Sequence, residues 1–352
     1  MQNPFAYHQT PDMNPAPFVR ERRSPYTDVF DAQVDSYMDF LKRFELKCTR
    51  RDADKAALLE ELTRETDAMM ALCDEYEAEL KLSDHAAIKK ARLAFRKKTD
   101  PMMSKSYLIN RCRTWPQGHQ GDYMTLELAY KNTPMSQGIG YYLDKYLLTT
   151  ELAVGVRERR EKLRDLILAE LLSRTAPNVL DVACGSCREV FELSPEIKSS
   201  GAQFTCVDID TDALDFSRDR LKHTGILTDH VQLITYNALR MFDPHMARAE
   251  FGMRDLIYSL GFFDYLPDEF LVKMLRSLYL MLNPGGTLIA AFKEATAYRP
   301  HIYHWLVDWD EFLQRTEKDF VRIMREAGIP DEAVTTHSVG SGTILFYSAA
   351  RL

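Results

Sequence analysis

In the second half of the chain, short apolar runs alternate with stretches whose apolar residues recur at helical spacing. The runs are NVLDVA (178–183), QFTCVDID (203–210), VQLITY (231–236), RDLIYSL (254–260) and GTLIAAF (286–292). Each is short, rich in β-branched or aromatic residues and bounded by turn formers, so each predicts a strand. Between them lie predicted helices: one through Leu193, then TDALDFSRDRLKH, PDEFLVKMLRSLYLMLNPGG and TEKDFVRIMREAG. The third opens on Pro267 and two acids and closes on Asn-Pro-Gly-Gly, matching helix start and stop preferences. AVTTHSV and TILFYSA, joined through Gly-Ser-Gly, predict a closing hairpin. Strands alternating with helices give an α/β fold: a doubly wound, mostly parallel sheet covered on both faces, with the hairpin adding an antiparallel strand.

The first half reads differently. Residues 1–28 are Pro-rich and aperiodic and predict an extended arm. From 29 to about 100 the spacing is helical, with Leu58, Leu59, Leu62, Met69, Met70, Leu72 and Cys73 along one stretch. Ser83 and Asp84 are placed to cap the next helix, HAAIKKARLAFRKK, whose basic residues read as a solvated face. Residues 100–145 hold many aromatic, Gly and Pro residues and predict an irregular lid, in which Asp122 and Tyr123 could close over a ligand. VRERREKLRDLILAELL then predicts a helix entering the second unit. The expected division is an arm at 1–28, a helical domain with its lid at 29–149, and an α/β domain at 150–352.

Composition narrows the function classes. Hydrophobic residues make up 45% and charged residues 28% of 352, and the net charge of -7 argues against nonspecific nucleic-acid binding. No stretch approaches the ~20 apolar residues of a membrane span. The N-terminal segment has no apolar h-region, and the six scattered cysteines form no disulfide framework, so the expected location is the cytoplasm. A homodimer is left open.

In a doubly wound sheet, ligands bind beyond the carboxyl ends of the strands. The first strand ends in Asp181-Val182-Ala183-Cys184-Gly185-Ser186-Cys187-Arg188, where small residues admit a ligand close to the backbone and the next helix turns its N-terminus to the loop. The second ends in Asp208-Ile209-Asp210, 23 residues after Gly185. A carboxylate at Asp208 can accept from both hydroxyls of a ribose, and Asp210 is the expected helix cap. A dinucleotide would need G-x-G-x-x-G, but Ala183, Gly185 and Arg188 occupy those positions. A nucleoside cofactor without phosphates fits better. Cys184-x-x-Cys187 lacks a second C-x-x-C to complete a metal site, so the expectation is no metal and small residues lining the loop.

These strings resemble class I S-adenosylmethionine-dependent methyltransferases. VLDVACGSCRE is similar to their first motif, CVDIDTDAL to the second, ITYNAL to the third, and LNPGGTLIAAF to the Pro-Gly-Gly strand motif. The resemblance spans about 150–352 and implies a Rossmann-like fold, S-adenosylmethionine as cofactor, and cofactor binding by Asp181, Ala183, Gly185, Asp208, Ile209, Asn237, Ala238 and Tyr123. Ala183 and Cys187 replace two family glycines. GDYMTLELAY, VRERREKL, DLIYSLGFFDYL and HWLVDWDEFLQRT further resemble a bacterial group that makes hydroxy fatty-acid methyl esters.

The resemblance implies methyl transfer to a small molecule. An apolar fatty acyl carboxylate giving a methyl ester is one acceptor; a peptide or natural product methylated on N or O is another, and a noncatalytic adenosylmethionine sensor or scaffold is the rival class. Tyr265 after the fourth strand and His304 after the fifth are the candidate catalytic residues. Phe262 and Phe263 divide evenly between core and site. Tyr298, Tyr303, Trp305, Trp309 and Phe312 are candidate apolar walls, with core packing the alternative for the two tryptophans.

Overall fold

The computed structural model describes residues 25–50, 54–80 and 84–352. Residues 1–24 of the expected arm and Ser83 of the expected cap lie outside them; Pro25 already begins a helix. The helical part comprises α1 (Pro25–Cys48), α2 (Lys55–Glu79), α3 (His85–Met103), α4 (Tyr107–Thr114), α5 (Tyr123–Lys131), α6 (Ile139–Thr149) and α7 (Glu151–Ser173). Asp54 caps α2 by accepting from the Ala56 and Ala57 amides, and Asp84 caps α3 by accepting from Ala87 N at 2.9 Å. Leu58, Leu62, Met69, Met70 and Cys73 are buried along α2, as their spacing requires.

The expected irregular lid at 100–145 is largely helical. Its helices, α4 to α6, span 8 to 11 residues, too few turns for a clear periodic signal. Side-chain caps start α4 and α5: Ser106 accepts from Ile109 N at 3.0 Å, and Asp122 from Thr125 N at 2.8 Å.

The α/β part runs β1 (Asn178–Val182), α8 (Arg188–Glu192), α9 (Ser194–Ser200), β2 (Gln203–Asp208), α10 (Thr211–Leu221), β3 (Val231–Thr235), α11 (Pro244–Phe251), β4 (Arg254–Leu260), α12 (Asp268–Leu280), β5 (Leu282–Lys293), α13 (Pro300–Trp305), α14 (Glu317–Glu326), β6 (Val334–Ser338) and β7 (Ile344–Ala350). The seven-stranded sheet has the order β3-β2-β1-β4-β5-β7-β6, with β1 to β5 parallel and β7 antiparallel to both its neighbours. This is the expected Rossmann-like doubly wound sheet with its closing hairpin. The strand order reverses at β1, so the crevice that such a sheet offers lies at the carboxyl ends of β1 and β4.

The chain separates into two compact units that interleave in sequence. One gathers the described residues up to Gln120 with Met135–Asp144 and His304–Asp308; the other is Gly121–Pro134, Lys145–Tyr303 and Trp309–Leu352. Thus α5 belongs to the α/β unit. No helix among the described residues is long and apolar enough to cross a membrane.

Candidate functional site

The β1 strand is buried from Val179 to Val182, which fixes where the following loop emerges. That loop has positive φ at alternate residues: 59° at Ala183, 53° at Gly185 and 45° at Cys187. These are the positions at which the family pattern carries glycine. The backbone therefore keeps the left-handed conformation although only one of the three residues is glycine. A non-glycine side chain there costs about 1–2 kcal/mol, so surrounding contacts must hold the loop.

Those contacts come from three sides. Cys184 N donates to Val207 O of β2 at 3.0 Å. Asp208 at the end of β2 accepts from Gly185 N at 2.7 Å and from Asp210 N at 2.9 Å. Ser217 on α10 donates to Gly185 O at 3.0 Å. Burial pushes the Asp208 carboxyl up from its ordinary range, and the two amide donors pull it back.

The third support is α5. The Glu127 side chain is wholly buried and accepts from Ser186 Oγ at 2.8 Å, Arg188 Nη1 at 3.1 Å and Arg220 Nη1 at 2.8 Å. Burial alone would raise the Glu127 carboxyl, but Arg220, Ser186 and Arg188 outweigh it and hold it below the usual range. At the start of the same helix, Tyr123 rests its ring against Phe216 at 5.3 Å. A Cβ built on Gly185 would find Tyr123 Cβ at 3.9 Å, so Tyr123 stands beside the loop.

Most of the expected cofactor residues are thus assembled at one place. Gly185 and Asp208 are bonded to each other, Tyr123 flanks them, and Ile209 beside Asp208 is exposed. Asn237 and Ala238 follow β3 next to β2, where Tyr236 N donates to Asp208 O at 2.8 Å. The Asn237 carboxamide oxygen accepts from Leu239 N at 3.0 Å and so caps a short 3-10 turn. Asp210 caps α10, as expected. Asp181 is buried, and its Oδ2 has no hydrogen-bond partner among the described residues. Burial and the neighbouring Glu189 carboxylate push the Asp181 carboxyl well up. An orphaned acceptor below a loop opened by left-handed residues, next to a half-buried carboxylate, fits a nucleoside cofactor with a cationic end.

Asp181, Cys184 and Cys187 bring three donor atoms within 4.8 Å of one another. The Cys184 and Cys206 thiols face the Cys187 sulfur, which favours its thiolate, and such spacing follows from thiols hydrogen-bonded in a core. Replacing both Cys184 and Cys187 by Ser is expected to leave cofactor affinity and turnover largely intact. Stoichiometric zinc in the wild-type protein, measured by plasma mass spectrometry, would contradict this.

The carboxyl ends of β4 and β5 carry a second cluster. Tyr265 lies in the 3-10 turn after β4, its hydroxyl 3.1 Å from where a Cβ on Gly121 would sit. That glycine adjoins the Asp122–Tyr123 start of α5, so Tyr265 and the loop share one neighbourhood. Lys293, 8% exposed at the end of β5, pairs with Asp264 and lies 5.6 Å from the Tyr265 ring centre and 4.7 Å from that of Phe312. Tyr298 packs on Phe312 at 6.3 Å, and Trp309 on Tyr303 at 6.3 Å. Phe263 is wholly buried core, whereas Phe262 is half-buried at its edge.

His304 and Trp305 belong to the helical unit. Trp305 is fully buried, edge-on to Phe30 and Phe95, and donates to Glu77 Oε2 at 2.8 Å. His304 Nδ1 lies 3.0 Å from Arg92 Nη2, and Arg96 donates to His304 O at 2.7 Å. Arg92 also binds Glu77, and Arg96 binds Asp308 at 2.7 Å. Much of the basic face expected to be solvated on α3 is therefore spent on internal pairs. Trp305 is core rather than acceptor wall, because its ring is packed among Phe30, Phe95 and Tyr76 of its own unit. Glu127 and Lys293 were not foreseen. A lone acid inside the apolar run MTLELA was the available signal for the first; a lysine ending a buried strand was the signal for the second.

Residues 180–288 match the profile of a methyltransferase domain family. No curated protein matches the chain in sequence. A solved structure from Bordetella parapertussis, described as a possible exported protein, superposes at a TM-score of 0.55 with 16% identity, covering 93% of this chain and 99% of that one. Magnesium protoporphyrin IX methyltransferase from Synechocystis PCC 6803, solved with bound S-adenosylhomocysteine, gives 0.43 with 17% identity over 57% of this chain and 87% of that one. The chain carries a methyltransferase domain, and the cofactor of such a domain is S-adenosylmethionine.

Proposed function

We propose that this protein transfers a methyl group from S-adenosylmethionine to the carboxylate of an apolar small molecule in the cytoplasm, giving a methyl ester. The observation that carries the reading is the pair of rings, Tyr265 and Phe312, over the buried Lys293 ammonium, with Tyr298 packed on Phe312, at the strand ends beside the loop. It offers apolar walls and a cation in one place.

Asp208 holds the ribose, Asp181 faces the cationic end, and Tyr123, Ile209, Asn237 and Ala238 flank the base; the catalytic domain is residues 150–352 completed by α5. When bound, the cofactor supplies a methyl on a sulfonium: the acceptor oxygen bonds to that carbon, the carbon–sulfur electron pair returns to sulfur, and no proton moves. Carboxyl reference pKa values lie near ~4, so the acceptor is ionised at neutral pH and needs orientation rather than a base. Tyr265 supplies a hydroxyl for that orientation, and the aromatic rings exclude water.

His304→Gln is accordingly expected to lower turnover modestly, not by the ~10²–10⁴-fold that follows loss of a general base. The test of the reaction itself is incubation with labelled cofactor and a panel of fatty acids, phenols and amines, with products read by mass spectrometry. Base-labile methyl esters are expected. Methylamines or ethers as the only products would overturn the ester.

A further inference from the structure

Arg159 lies on α7 in the α/β unit and is 3% exposed. Its Nε has no hydrogen-bond partner among the described residues, and no described carboxylate forms an ion pair with it. The Tyr130 hydroxyl is close enough to feel its charge. Arg315, equally buried, shows what a structural arginine looks like here: it binds the Asp268 carboxylate and the carbonyls of Phe263 and Leu266. Leaving one guanidinium buried without an anion is costly, so the site holding it is built for a charge that arrives from outside.

The position of Arg159 says which site. Nη1 lies 2.9 Å from where a Cβ on Gly261 would sit, so the guanidinium rests against the residue that follows β4. Any side chain at 261 would displace it. It is also close enough to Lys293 to oppose its charging. Asp264 pairs with Lys293, so the ion pairing seen in this cluster leaves the Arg159 guanidinium without a carboxylate of its own at the strand ends where ligands bind.

We infer that Arg159, seconded by Lys293, is the anion receptor of the acceptor site and grips the acceptor's carboxylate. The inference rests on the methyl-ester reading and adds the residue that selects the acceptor. A planar fork of donors matches a carboxylate bidentately, which fixes the attacking oxygen as well as the charge. The faces of Tyr265, Phe312 and Tyr298 then take the apolar body.

The test is calorimetry on the full chain saturated with S-adenosylhomocysteine, titrated with dodecanoate, phenylacetate and the matching alcohols. Wild type is expected to bind at least one of the acids ~10-fold or more tightly than its alcohol, the effect of a charge-assisted pair. Arg159→Met should abolish that preference while keeping alcohol and S-adenosylhomocysteine affinities, and Arg159→Lys should restore part of it. The thermal midpoint of unliganded Arg159→Met should match or exceed that of wild type, since an unpaired buried charge is removed. A wild type that prefers neither acid, an Arg159→Met variant that keeps the preference, or a midpoint lowered by more than about 4 °C would overturn the inference. Methyl esters formed undiminished by Arg159→Met would defeat the anchor and leave the ester reading standing. Intact acid binding without ester formation would do the reverse.

Discussion

Glu127→Ala is expected to destabilise the protein by about 3–5 kcal/mol, the usual result of removing one partner from a buried charged network. The carboxylate is fully buried and holds Arg220, Arg188 and the Ser186 hydroxyl together, so its loss leaves the Arg220 guanidinium without a carboxylate and the Ser186 hydroxyl facing an apolar methyl, while Arg188 keeps only Glu192. The loop Ala183–Cys187 then loses the tie that offsets its left-handed residues. Because Glu127 titrates below the ordinary carboxylate range in the fold, its stabilisation is complete at neutral pH. It is lost only as pH falls through that lowered value. Urea unfolding at pH 7 measures the difference; a change below about 1 kcal/mol, within the range of an ordinary exposed pair, would show that α5 does not support the loop.

Shortening the chain to residues 150–352 should have the larger functional effect. It removes α5, and with it Glu127, Tyr123 and the Gly121 backbone beside Tyr265. Arg220 loses its carboxylate, Phe216 loses the Tyr123 ring, and Tyr303 loses the Thr150 contact's supporting helix α6. The shortened chain is expected to lose cooperative thermal unfolding and measurable cofactor binding. Full turnover by it would refute a role for α5 in the site.

The α/β half was legible because its signals are local. Apolar runs such as NVLDVA end in an acid and small residues, and each is followed by a helix with its own caps. Asp208 and Gly185 could be paired from spacing alone because a parallel sheet sets neighbouring strand ends side by side. The conformation of Ala183 and Cys187 was not legible, since neither residue type signals positive φ; contacts from β2, α10 and α5 impose it. The role of α5 was hidden for the same reason: Glu127 meets Arg220 across 93 residues of sequence, a tertiary pairing with no periodic trace. His304 and Trp305 follow the fifth strand, where acceptor segments often insert, but sequence order does not say in which unit the two residues pack.

The central claim is that the ends of β1 and β2 bind S-adenosylmethionine through Asp208. Calorimetric titration of S-adenosylmethionine into wild type and Asp208→Ala tests it most directly. The wild-type protein should bind one equivalent, and the variant should bind at least about 5- to 150-fold more weakly, the ~1–3 kcal/mol lost when two hydroxyls forfeit a charged acceptor. No binding by wild type, or an affinity unchanged in the variant, would contradict the account.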